Sequence, residues 1–342
     1  MKEKKIIDAG SGICPLGPSR KVKAAIRKAA RGISERPDAA VAMLERFFSS
    51  KFGLERGRMV FANSIGELLH LITFALRPKK VLVCGPSVSI YGEASAAAGA
   101  EVLHIAAGEE SGFTVDIERL GEGLKGVDLL FIGNPGRLTG RVINAAVFSR
   151  ITDLAARSGT RVVVDESLME FTGQDVIGDA RPEIADSITL RSTANFYGLA
   201  GLELAYAVSQ EPIVRELRMK RYCSLNILSV EAARAAMKDR TYRKLARSFV
   251  EDEKKLISLA LRKVQGASYI GSDSNVFLIK LDHPDEKILA YLLRGGFAVT
   301  DCGGIEGLGQ SFLRMSVMAH ERNVKFIRLL KAALAHAVSK PQ

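Results

Sequence analysis

Short apolar runs that alternate with helical stretches constrain this chain more than any other feature. MVFA (59–62), KVLVC (80–84), EVLHI (101–105), VDLLFIG (127–133) and RVVVD (161–165) are rich in β-branched residues. Between them lie segments with helical spacing of apolar residues, at 63–76, 88–98 and 145–158. Strands that are apolar on both sides need cover on both sides, so this alternation predicts a mostly parallel sheet between two helical layers. Ligands of such sheets sit at the carboxyl ends of the strands. Residues 186–206, DSITLRSTANFYGLAGLELAY, add two more strands around a turn at Asn195-Phe196-Tyr197-Gly198.

Beyond residue 209 the texture changes. EPIVRELRMKRY and VEAARAAMKDRTYRKLARSFVEDEKKLISLALRKV read as long amphipathic helices. NVFLIKL, GFAVTDC and FLRMSVM then read as strands of a smaller sheet, closed by a helix at 324–337. At the other end, residues 1–21 read as an extended arm leading into a helix from Val22.

Composition sets bounds on partners. The 342 residues are enough for two domains or one domain with a lobe, and 47% hydrophobic content supports a large core. There is no apolar run of roughly 18 residues and no export signal after MKEKK, so neither a membrane partner nor secretion is expected. Cys14, Cys84, Cys223 and Cys302 are widely spaced, which suits a reducing cytoplasm. No histidine pair has metal-ligand spacing, and no metal is expected. A net charge of +11 fits an anionic small molecule, a nucleic acid or simply a basic surface. The densest basic segment, residues 20–31, reads as a solvated helix face, and no nucleic-acid motif accompanies it.

The 186–206 stretch resembles the cofactor loop of fold type I pyridoxal-phosphate (PLP) enzymes, in the aminotransferase class I/II branch. That branch holds histidinol-phosphate aminotransferases and threonine-phosphate decarboxylases, and the resemblance runs over residues 8–330. It implies the aspartate aminotransferase-like α/β fold: a large domain around a mostly parallel seven-stranded sheet, and a small α/β C-terminal domain. The expected division is 1–38 for the arm and part of the small domain, 39–235 for the large domain, and 236–342 for the small one. The resemblance also implies a homodimer with its pocket at the subunit boundary, alone or paired with an active relative.

Such a site needs an amine for the imine, a carboxylate for the ring nitrogen, a phosphate cradle and a stacking partner. VVVDES resembles the motif whose aspartate pairs with the pyridinium, which marks Asp165; a turn or helix-cap aspartate is the plainer reading. Ser89-Ile90-Tyr91 resembles the motif that lays Tyr91 over the ring. Ala62-Asn63-Ser64-Ile65-Gly66-Glu67 resembles the phosphate loop at a helix start, with Ser64 and Ile65 as ligands, and equally reads as ordinary capping. Ser192 matches a phosphate-facing hydroxyl. FLRMSV resembles the strand whose arginine, here Arg314, grips a substrate carboxylate; an internal salt bridge is the other reading. The segment 15–19, PLGPS, resembles the arm that closes over substrate.

Five positions depart from the pattern. Asn195 stands in register with the imine-forming lysine, and no lysine occurs between Lys125 and Lys220. Glu203 stands at the phosphate arginine, Arg137 at the asparagine that bonds the ring oxygen, and Leu168 at an aromatic residue. Arg36, in SERPD, stands at the tyrosine that reaches the neighbouring subunit's cofactor phosphate, and is counted with Arg314 as a substrate-binding candidate. Two charges about 5 Å apart at an effective dielectric near 20 interact by roughly 3 kcal/mol, so arginine to glutamate is a swing of about 5–10 kcal/mol against phosphate. The sequence therefore predicts weak or absent PLP binding. Glu203 is expected to pair with Arg36 or Arg137 and fill part of the site; the rival is that these arginines rebuild a site for an anionic small molecule. The expected function is a degenerate family member that forms no internal imine and acts as a non-catalytic or repurposed ligand-binding protein. The alternative is a lysine-independent, PLP-binding aminotransferase or threonine-phosphate decarboxylase-like enzyme acting on a phosphorylated amino acid.

Overall fold

The computed structural model of the chain describes residues 6–174 and 187–338, so Asp186 and the first five residues of the arm lie outside it. The first strand, β1 (Ile7–Asp8), belongs to the arm. The large sheet comprises β2 (Met59–Ala62), β3 (Lys80–Gly85), β4 (Glu101–Ala106), β5 (Leu129–Gly133), β6 (Arg161–Asp165), β7 (Ile188–Ser192) and β8 (Ala205–Val208). Its seven strands run in the order β2-β8-β7-β6-β5-β3-β4, and β8 alone runs against the direction of the other six.

Two apolar layers explain the double cover. One face carries Val60, Val81, Val83, Phe131, Val163 and Leu190 against helix Ile65–Leu76. The other carries Leu82, Leu130, Ile132 and Val164 against helix Ala145–Arg157, through Phe148, Ile151 and Ala155. Strands buried on both sides cannot alternate polar with apolar, which is why these runs are almost wholly aliphatic.

Helix Ile65–Leu76 positions much of the site, and its start is locally encoded. The Ser64 hydroxyl accepts from Glu67 N at 3.0 Å, and the Glu67 carboxylate reaches back to Asn63 N at 2.9 Å. This is a variant of the reciprocal capping box, with the return bond placed one residue earlier.

The C-terminal region builds an antiparallel sheet from β9 (Ala267–Ile270), β10 (Val276–Leu281), β12 (Thr300–Asp301) and β13 (Phe312–Ser316), in the order β12-β13-β10-β9. Here the structure corrects the sequence reading, because residues 296–302 do not form one strand. They divide at Val299 into β11 (Phe297–Ala298), which pairs in parallel with β1, and β12, which pairs with β13. The arm takes the first half: Ile7 N donates to Gly296 O and Ala9 N to Ala298 O, at 2.9 and 2.7 Å. The long helical stretch also breaks once, at Asp239, whose carboxylate accepts from Tyr242 N and from the Lys21 ammonium. Arm, helices and small sheet share one core that includes Phe48, Phe277, Phe297 and Phe326.

Candidate functional site

The residues singled out from the sequence fall at or just beyond strand ends in the large sheet. Asp165 is the last residue of β6, Ser192 the last of β7, and Asn195 lies three positions further on. Arg137 follows β5, and Tyr91 lies in the first turn of the helix Ile90–Ala97 after β3.

Asp165 is almost fully buried and its carboxylate is heavily engaged. Oδ1 accepts from Ser167 N at 2.8 Å and Ser167 Oγ at 2.5 Å, while Oδ2 accepts from the Tyr91 hydroxyl at 2.7 Å. The Tyr91 ring is fully buried and stacks on Phe131 with centroids 5.4 Å apart. Burial first, and then the Asp165 charge, push the Tyr91 phenol well above its ordinary value, so it stays a donor. The sequence placed this ring over a ligand; the structure places it within the large-sheet core, with its hydroxyl on the aspartate.

Arg137 approaches the same oxygen, with Nε 3.9 Å from Asp165 Oδ2. Its Nε and Nη1 are buried and have no hydrogen-bond acceptor. Burial works to lower the affinity of this guanidinium for its proton, but Asp165, then Tyr91 and Glu203, outweigh it and hold the group above its ordinary value.

Glu203 lies at the opposite end. Its Oε1 accepts from Ser192 Oγ at 2.5 Å and from Ile65 N at 3.2 Å. Ile65 is the first residue of its helix, where backbone N–H groups lack intrahelical partners and the dipole favours negative charge. The expected ion pair of Glu203 with Arg36 or Arg137 is not formed. Arg36 is exposed, Arg137 pairs with Asp165, and the closest donors to Glu203 are the ones the sequence had assigned to a phosphate. Ser64 itself is used as the helix cap.

The arm closes the third side. Asn195 Nδ2 donates to Gly12 O at 3.0 Å, and Cys14 N donates to Asn195 O at 2.8 Å. Asn275 Nδ2 donates to the same Gly12 carbonyl at 2.7 Å. Arg314, on β13, donates from Nε to Arg137 O at 3.0 Å and from Nη1 to Gly10 O. It forms no ion pair among the described residues, so the internal salt bridge is absent. Burial, and then the neighbouring Arg137 charge, push Arg314 down to about 10. Leu168 is a core residue.

Arg36 therefore stays apart, whereas Ile65, Tyr91, Arg137, Asp165, Ser192, Asn195, Glu203 and Arg314 converge on one region. Sequence reasoning missed the carbonyls of Gly10 and Gly12, which carry no side-chain signature. It also missed Ser167 and Asn275, ordinary polar residues until the fold brings them in. Among the described residues no cluster of His, Cys, Asp and Glu could hold a metal, and no helix is long and apolar enough to cross a membrane.

The sequence model for aminotransferase class I and II matches residues 4–330. A histidinol-phosphate aminotransferase from Symbiobacterium thermophilum is 30% identical over 327 residues, covering 94% of this chain and 88% of the relative. Among solved structures, the histidinol-phosphate aminotransferase from Clostridium acetobutylicum superposes with a TM-score of 0.89 at 23% identity, covering 97% of this chain and all of that one. The L-threonine-O-3-phosphate decarboxylase from Porphyromonas gingivalis gives 0.82 at 20% identity, covering 96% and 100%. These likenesses establish the aspartate aminotransferase-like fold, and with the matched model they show that the chain belongs to the aminotransferase class I and II family.

Proposed function

We propose that this chain is a family member that forms no lysine–cofactor imine and serves as a non-catalytic or repurposed protein for a small anionic ligand. The observation that supports this most is the Glu203 carboxylate on Ser192 Oγ and Ile65 N, the donors a phosphate would need. A phosphate placed there would meet a like charge, a repulsion of about 3 kcal/mol or more at 5 Å and an effective dielectric near 20. Asn195 adds a carboxamide, whose nitrogen is not nucleophilic, at the position in register with the lysine, and Arg137 stands before Asp165. The residues present do not fit PLP: a carboxylate meets its phosphate and a guanidinium meets its ring nitrogen.

The assembly that goes with this reading is a homodimer, by itself or mixed with an active relative, in which exposed Arg36 is available to a neighbouring subunit. A second reading, a lysine-independent PLP enzyme acting on a phosphorylated amino acid, draws support from Asp165, Ser192 and Arg314 lying in one region.

The test is an absorption titration of the purified protein with PLP, followed by borohydride. The expected result is no visible band beyond that of free PLP plus its nonspecific surface adducts, and no reduced cofactor retained at Asn195 or a neighbouring residue. A stoichiometric yellow band lost on reduction would overturn the proposal. A near-ultraviolet cofactor band that survives dialysis without yellow colour would favour the second reading.

A further inference from the structure

Charges at the two ends of the site occur in a telling order. Asp165, at the end of β6, faces the guanidinium of Arg137. The N-terminus of helix Ile65–Leu76, with the Ser192 hydroxyl, faces the carboxylate of Glu203. PLP carries the same two charges: a cationic ring nitrogen suited to a carboxylate, and an anionic phosphate suited to a helix N-terminus. We propose that Arg137 and Glu203 together form a built-in counterpart of the cofactor, a side-chain pair that occupies both charged ends of the site and keeps it folded without PLP. This rests on the reading that no imine forms, and adds what fills the site instead.

Glu203 takes a donor that the local caps leave open: Ser64 accepts from Glu67 N and Glu67 returns to Asn63 N, so Ile65 N is free for an acceptor from outside the helix. Hydrogen bonding does not account for Arg137, since Nε and Nη1 have no acceptor. Arg137 is instead held by charge, from Asp165 first and with Glu203 contributing, and it stays there although it disfavours the proton on nearby Arg314. The pair is thus polarised along the direction the cofactor would have, positive toward Asp165 and negative toward Ile65 N.

If the two side chains fill the two charged ends, changing Glu203 alone should admit an anion at the helix end, whereas PLP, which needs both ends, should require both to change. Inorganic phosphate is the first probe, titrated against the full chain by calorimetry and thermal unfolding. Glu203→Ala and the milder Glu203→Gln are expected to bind phosphate about tenfold or more tightly than the parent, because a helix N-terminus and a hydroxyl are released to it. If Glu203 were only a helix cap, these variants would lose stability and gain no phosphate affinity, and the proposal would fall. Equal phosphate binding by parent and variants would also overturn it.

The second arm tests Arg137 with PLP. Asn195→Lys/Glu203→Arg should bind PLP weakly, and adding Arg137→Asn should improve binding about tenfold, read from the borohydride-sensitive band. Equal affinities would remove Arg137 from the pair. The parent's own spectrum decides the imine question separately, so failure of either arm leaves that reading untouched.

Discussion

Glu203 shows how one residue sets the charge at a helix N-terminus, with its carboxylate on Ile65 N and Ser192 Oγ. A carboxylate is favoured at a helix N-terminus by the same partial charges that favour phosphate. A second charged device lies just behind the site: Arg191, fully buried, donates from Nη2 to Glu166 Oε2 at 2.7 Å, and Glu170 lies 3.8 Å from its Nη1. Removing one partner of such a pair leaves a charge stranded in the core, at a cost of about 3–5 kcal/mol. Glu166→Ala should therefore lower the urea midpoint strongly, and an unchanged midpoint would show that Glu170 alone suffices. At this scale the sequence pointed to Asp165, Asn195 and Glu203, and the fold brings these three side chains into one region. What escaped was the direction of Glu203, because a side chain's choice between a guanidinium and a free backbone N–H depends on distances that no residue pattern contains.

At the level of elements, the arm and the turn after β7 are joined by contacts that leave little room. Gly198 has φ +65°, and a Cβ there would lie 2.7 Å from Gly17 Cα and 2.8 Å from its carbonyl carbon. Gly198→Ala should cost roughly 2–4 kcal/mol, from the left-handed backbone and from overpacking together. The arm should then become sensitive to limited proteolysis at residues 10–18, whereas an arm as protected as the parent's would contradict the tight fit. Element positions in the large sheet were readable because strands buried on both faces have a distinctive aliphatic texture. The division of residues 296–302 was not readable, because the partner of β11 is a two-residue strand about 290 positions earlier, too short to announce itself.

For the whole molecule, the described thiols give a pH signature. Burial pushes Cys84 up to about 12 and Cys302 up to about 11, from ordinary values near 9. Above pH 9 the unfolded chain releases these protons while the folded chain retains them, so stability is intact below 9 and declines as pH rises toward 11–12. Arg314 acts in the opposite sense: its folded value near 10 lies below the ordinary arginine range, so its contribution improves stability only above pH 10. The cleanest window is therefore pH 9–10, where Cys84→Ala should flatten the decline of the unfolding midpoint. A slope unchanged by that substitution would mean the thiol is reached by water in the native state.

The arm's anchoring also has a consequence for how the polypeptide comes together on the ribosome. Gly10 is held by Arg314, 304 residues later in the chain, and Ala9 by Ser316, 307 residues later. At about 5–20 residues per second, translation would separate the emergence of these partners by roughly 15–60 s. Residues 9–10 therefore leave the exit tunnel long before their partners and are among the last to find their place, and nascent chains stopped before β13 should carry this segment loose and accessible.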